Sequence, residues 1–138
     1  MPSPTPVQLG KLKVAARAAA RRAYAPYSKF CVGAAVLTAQ GRIYQGCNVE
    51  NASYGLSNCA ERTAIFSAAT AEGPKLRIRC VVVYTATRSA TAPCGACRQV
   101  IHEFGPAARV ISCCAGAPDL DVSIEALLPG AFGPQDLA

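Results

Sequence analysis

A three-layer α/β/α sandwich around one mixed sheet is the fold that this sequence predicts, and three observations predict it. Apolar periodicity switches along the chain in the order α-β-β-α-β-α-β-α. The run Ile78 to Tyr84 is almost unbroken in β-branched and apolar side chains, as a strand covered on both faces requires. Gly, Pro and polar clusters separate the periodic segments and mark short connections.

Residues 1–6 read as a flexible Pro-rich tail and 7–138 as a single domain. From about Val7 to Tyr24, Leu9, Leu12, Ala16, Ala20 and Ala23 recur at helical spacing, and Ala25-Pro26 ends that helix. Two strands follow, about Val32 to Thr38 and Arg42 to Gln45, joined by the turn Ala39-Gln40-Gly41. Gly46 to Asn58 is polar and irregular. A second helix spans about Cys59 to Ala71 and closes at Gly73-Pro74. After the strand within Arg77 to Thr85, Pro93 leads into a third helix, about Cys94 to Phe104, stopped by Gly105-Pro106. Arg109 to Ser112 is a short strand, and a last helix is expected from about Val122 to Leu128.

Composition narrows the function classes. The chain is 51% hydrophobic and 16% charged, apolar for a small domain, so part of its surface is expected in a subunit interface. Fourteen Lys and Arg against eight Asp and Glu give +6, but apart from Lys11, Lys13, Arg17, Arg21 and Arg22 on the first helix the basic residues are scattered. No aromatic-and-basic alternation offers a stacking platform, so no nucleic-acid partner is expected. No apolar run approaches the roughly 20 residues that cross a bilayer. The stretch Met1 to Pro6 has no charged head followed by an apolar run, so no secretory signal is read and a cytoplasmic location is expected. In that setting eight cysteines are metal ligands or small buried hydrophobes rather than a disulfide framework.

Two cysteine clusters carry the chemistry. Cys59-Ala60-Glu61 opens the second helix and Pro93-Cys94-Gly95-Ala96-Cys97 opens the third. Cys94 and Cys97 are three apart at a helix start, so their thiols point to one side. Helix N-termini, with free N–H groups and the positive dipole end, favour thiolates. Arg62 is placed to donate hydrogen bonds to them. Three thiolates leave one tetrahedral position open, the arrangement of a catalytic Zn²⁺ rather than a structural one, with one ion expected per chain. The open position takes a water that the metal acidifies. Glu61, two residues from a ligand, is suited to hold and pass protons there.

Other readings fit less well. A thioredoxin-type Cys-x-x-Cys pair leaves Cys59 and Glu61 unexplained. A zinc ribbon needs a second chelating pair, and Cys113-Cys114 is vicinal with diverging side chains. Cys31, Cys47 and Cys80 read as core cysteines. His102, the only histidine, lies five residues beyond Cys97 and reads as a helix residue rather than a ligand.

The pairing of Cys-x-Glu with Pro-Cys-x-x-Cys resembles the signature of zinc-dependent nucleobase deaminases. The fuller resemblance is to the small, tetrameric, three-cysteine cytidine deaminases. It runs from Ser28 to Phe132, through Ser28-Lys29-Phe30, Val32-Gly33-Ala34-Ala35, the stretch Gly46 to Gly55, Cys59 to Ala64, Pro93 to Val100 and Leu127 to Phe132. Cys31 and Ser112-Cys113-Cys114 depart from the usual pattern. The resemblance implies that Cys59, Cys94 and Cys97 hold zinc and that Glu61 is the catalytic proton shuttle. It implies that Asn48 and Glu50 bind the ribose hydroxyls, that Phe30 packs on the base and that the Ala60 backbone contacts the pyrimidine. Tyr54 and Phe132 would enter a neighbouring subunit's site in a homotetramer. The implied reaction is hydrolytic deamination of cytidine and deoxycytidine to uridine and deoxyuridine with release of ammonia, as in pyrimidine salvage. Its rivals are deamination of blasticidin-type nucleosides and, in another class, a non-catalytic zinc module that binds nucleic acid.

Overall fold

The computed structural model describes residues 2–138, so Met1 lies outside the described residues. Helix α1 spans Pro6–Ala20. Thr5 caps it: its hydroxyl accepts from the Gln8 amide at 3.1 Å while the Gln8 side chain accepts from the Thr5 amide at 3.0 Å. Thr5 and Pro6 therefore belong to the helix start rather than to a tail. Pro4 is buried, and Arg79 donates to the carbonyls of Pro2 and Ser3 at 3.0 and 3.1 Å. At its other end α1 stops at Ala20, short of the expected Tyr24. Tyr24 instead donates to the Asn48 carbonyl and accepts from the Glu50 amide, and this pairing draws the backbone out of the helix.

Strands β1 (Val32–Thr38) and β2 (Ile43–Cys47) form the expected hairpin, β2 running two residues further than its sequence pattern implies. Helix α2 (Ala60–Glu72) crosses to the central strand β3 (Ile78–Thr85). Helix α3 (Gly95–Phe104) then leads to β4 (Arg109–Cys113), which lies parallel to β3 with Val82 opposite Ile111. The expected last helix is divided. Leu120–Ser123 is a fifth strand, β5, antiparallel to β4, and only Ile124–Leu127 is helical, as α4. Ser123 marks the change, because its hydroxyl caps α4 by accepting from the Ala126 amide at 3.2 Å.

The sheet order is β2-β1-β3-β4-β5, one mixed sheet with helices on both faces. Strand alternation builds the layers. Ala35, Leu37, Cys80, Val82 and Ile111 face Leu12 and Ala16 of α1. Ala34, Val36, Val81, Val83 and Val110 face Ala64, Ile65 and Ala68 of α2, Ile101 of α3 and Ile124 of α4. Of the cysteines read as core, Cys80 is buried and Cys47 half-buried, but Cys31 is exposed because it lies in the loop before β1. Among the described residues no helix is long and apolar enough to cross a membrane.

Gly46 sets how closely α2 sits on the sheet. A Cβ there would lie 2.4 Å from the Ala64 nitrogen and 2.9 Å from the Ala60 carbonyl oxygen. Only glycine admits this approach, which brings the start of α2 against the end of the β1–β2 hairpin.

Candidate active site

The starts of α2 and α3 meet at the C-terminal end of β3, where open α/β sheets form their clefts. Cys59 and Cys94 are the capping residues of the two helices, in extended conformation, and Cys97 lies in the first turn of α3. Their three Sγ atoms lie within 4.8 Å of one another, with Cys59 and Cys94 3.9 Å apart. Thiolates placed tetrahedrally at about 2.3 Å from zinc lie about 3.8 Å apart, so this donor set fits the ion. Among the described residues no other group of three or more His, Cys, Asp and Glu converges in this way. His102 lies further along α3 and is not part of the cluster.

The cluster's electrostatics favour thiolate at Cys59. Arg62 donates from Nη2 to Cys59 Sγ at 3.2 Å. Hydrogen bonds from Cys97 and Arg62 push the Cys59 thiol well below its usual range. Cys97, which donates to Cys59 and is buried, is pushed up. The same thiolate contact holds the Arg62 guanidinium charged. Arg62 Nε is buried without a hydrogen-bond partner among the described residues.

Glu61 is 5% exposed in the first turn of α2. Burial pushes its carboxyl up to about 7, and negative charge on Cys59 adds to the rise. A carboxyl poised near neutrality beside a metal-binding cluster suits proton transfer in both directions.

The cleft over the cluster has a volume of about 280 Å³. Of the residues singled out in the sequence, Phe30, Asn48, Glu50, Cys59, Ala60, Glu61 and Cys94 line it. Asn48 and Glu50 are also committed to the protein. Asn48 Oδ1 accepts from the Val32 amide at 2.8 Å, and its Nδ2 donates to the Phe30 carbonyl at 2.7 Å. Glu50 accepts from the amides of Tyr27 and Ser28 at 3.0 and 3.1 Å and from the Ser28 hydroxyl. That hydroxyl holds the Glu50 carboxyl below its ordinary value. Lys29, with φ of 60°, turns the chain between Ser28 and Phe30, and Phe30 stands 41% exposed at the cleft.

Tyr54 and Phe132 do not line this cleft. They are 74% and 57% exposed, with Tyr54 stacked obliquely on Tyr27 at 5.8 Å and the Phe132 carbonyl accepting from Gln99. Eight further lining residues, Ser28, Val32, Ser57, Asn58, Val83, Thr85, Thr91 and Ala92, were given no site role in the sequence reading. Val83 and Thr85 were accessible in principle, since they end the strand that precedes the Cys94 loop.

Three thiols converging from two helix starts beside a buried carboxyl, under an open cleft, define a zinc enzyme of the metal-assisted hydrolytic class. The family described as the cytidine and deoxycytidylate deaminase zinc-binding region matches residues 7–114. A cytidine deaminase of Sporosarcina psychrophila is 43% identical over 129 residues, 93% of each chain. One of Mycobacterium tuberculosis is 42% identical over 132 residues, 95% of this chain and 94% of that one. The crystal structure of a cytidine deaminase from Burkholderia pseudomallei superposes with a TM-score of 0.81 at 50% identity, over 89% of this chain and 98% of that one. The chain belongs to the cytidine and deoxycytidylate deaminase family.

Proposed function

We propose that the domain spanning residues 7–138 hydrolyses the exocyclic amine of cytidine and deoxycytidine, giving uridine or deoxyuridine and ammonia in pyrimidine salvage. The observation that carries the reading is the convergence of Cys59, Cys94 and Cys97 beside Glu61 at the floor of a cleft lined by Phe30, Asn48 and Glu50. Cys59, Cys94 and Cys97 would hold Zn²⁺, which when bound would acidify a water and make it the nucleophile. Glu61 takes one proton of the attacking water and places it on N3 of the pyrimidine, then takes the remaining hydroxyl proton as the C4 carbonyl forms and hands it to the departing amino group. The water oxygen bonds to C4, the C4–N bond breaks, and ammonia leaves. Arg62 offsets the charge of the thiolates.

Phe30 packs on the base, and the Ala60 backbone at the start of α2 faces the pyrimidine edge. Asn48 and Glu50 take the ribose hydroxyls with the lone pairs and N–H that their bonds to the 27–32 loop leave free. An anionic carboxylate at that position favours a nucleoside over a nucleotide. Tyr54 and Phe132 complete a neighbouring site in a homotetramer. Exposed Tyr54, Leu56, Phe66 and Phe132 supply apolar surface for that contact. A location in the cytoplasm accords with free cysteines serving as ligands.

Incubation with cytidine, deoxycytidine, dCMP, cytosine and single-stranded DNA tests the substrate, followed by absorbance and ammonia. Turnover of the two nucleosides alone is expected. No turnover of any of the five, with salt-sensitive DNA binding, would overturn the reading. Glu61→Gln is expected to keep zinc and lose about 10²- to 10⁴-fold in turnover. Cys94→Ala should lose the metal by elemental analysis, and a light-scattering mass of one chain would remove the tetramer.

A further inference from the structure

We propose that Arg98 is a positioning residue: it ties the Cys94 loop to the C-terminal segment and thereby slows loss of the metal, an inference resting on the zinc-ligand reading above. The three ligands are not equally secured. Cys97 is buried and Cys59 half-buried, but Cys94 is exposed, so core packing alone does not fix its thiol. Its placement depends on the loop that leads into α3.

Arg98 fastens that loop. Its Nε donates to the carbonyl of Pro93, the buried residue just before Cys94, at 2.7 Å. Its backbone N–H donates to the Cys94 carbonyl at 3.0 Å. From the other side of the same guanidinium, Nη1 donates to the Leu127 carbonyl at 2.9 Å. Leu127 is the last residue of α4, where carbonyls lack partners within the helix. One planar fork thus satisfies two carbonyls from separate elements, which a lysine ammonium cannot reproduce. Gln99 donates to the Phe132 carbonyl at 2.9 Å, so α3 grips the segment from Leu127 to Phe132 at both ends. Of these two residues, Arg98 is the one that also grips the ligand loop.

Zinc transfer from the intact, zinc-loaded protein to excess 4-(2-pyridylazo)resorcinol measures the effect directly. Loss of groups that orient metal ligands typically costs about 10- to 100-fold in metal affinity, so Arg98→Ala should release zinc faster by about that factor. Arg98→Lys should fall between it and the parent, and Gln99→Ala should match the parent. Circular dichroism identifies the folded variants, and Arg98→Lys carries the test if the alanine variant does not fold. Release at the parent's rate from a folded Arg98 variant overturns the proposal, even if melting is lowered. Equal acceleration by Gln99→Ala also overturns it, by pointing to general loosening of α3. A parent protein that binds no zinc would instead overturn the ligand assignment beneath it.

Discussion

An alanine at Gly46 tests whether the close seating of α2 serves catalysis. The added methyl would lie 2.4 Å from the Ala64 nitrogen, 2.8 Å from the Thr63 carbonyl carbon and 2.9 Å from the Ala60 carbonyl oxygen. Ordinary contact begins near 3.5 Å, so β2 and the start of α2 must separate by about 1 Å. All three atoms are backbone, and none can swing aside. Overpacking of this kind costs about 1–3 kcal/mol. The displaced turn carries Ala60 and Glu61 and follows directly on Cys59, and a shift of about 1 Å at reacting groups costs on the order of 10²-fold in rate. Gly105→Ala is the matched control. Its methyl would lie 2.4 Å from the Ile78 carbonyl oxygen, at the end of α3 remote from the cysteines. Urea unfolding followed by circular dichroism gives the stability of each variant, and ammonia release from cytidine, normalised to folded zinc-loaded protein, gives turnover. Both variants should be destabilised, and only Gly46→Ala should lose turnover per folded molecule. Equal turnover in the two folded variants would refute the reasoning.

Asn48→Asp replaces the amide that donates to Phe30 with a second acceptor at 2.7 Å. It should cost about 1–3 kcal/mol in urea unfolding and raise KM for cytidine, and an unchanged unfolding midpoint would contradict the bracing role. Glu50 gives a pH dependence. Its carboxyl is held below the ordinary 4.5, chiefly by the Ser28 hydroxyl, so its bonds to the Tyr27–Ser28 loop persist above that value and are lost as pH falls through the lower folded value. Amide proton shifts of Tyr27 and Ser28 should titrate together with a midpoint under 4.5. In Glu50→Gln that titration should be absent.

The sheet and its three layers were legible because the chain's periodicity is strong where layers pack. Ile78 to Tyr84 reads as a two-faced strand and proves to be the centre of the sheet. Elements fixed by tertiary pairing were not legible. Leu120–Ser123 follows the edge of β4, and its four residues carry no alternation strong enough to compete with the helical spacing through Val122 and Ala126. The end of α1 was overrun for a similar reason. Ala23 and Tyr24 continue the helical spacing, but Tyr24 finds its partners at Asn48 and Glu50, far along the chain. The Pro-rich start reads as a tail because the guanidinium that holds it belongs to Arg79 on β3.

The site divides along the same line. The metal ligands and Glu61 are legible because each cluster is local, within the first turn of one helix. The bonds of Asn48 and Glu50 to the 27–32 loop are not, since their partners lie 16 to 23 residues away. A physical cost marks the legible part. Of the four α-helices, two are capped by a side-chain oxygen, Thr5 on α1 and Ser123 on α4. The two helices that carry the cluster have cysteine at the cap and make no side-chain cap bond. Forgoing a cap costs about 0.5–2 kcal/mol per helix, so the two thiols are freed for a metal at a cost in local stability. Nearby side chains bind carbonyls at these starts without serving the free amides: Thr63 Oγ1 donates to the Cys59 carbonyl at 3.1 Å, and Arg98 Nε to the Pro93 carbonyl at 2.7 Å. Two helix starts that leave their first amides without a side-chain cap, each with a cysteine of the cluster in the cap position, point to function more strongly than either cysteine motif does alone.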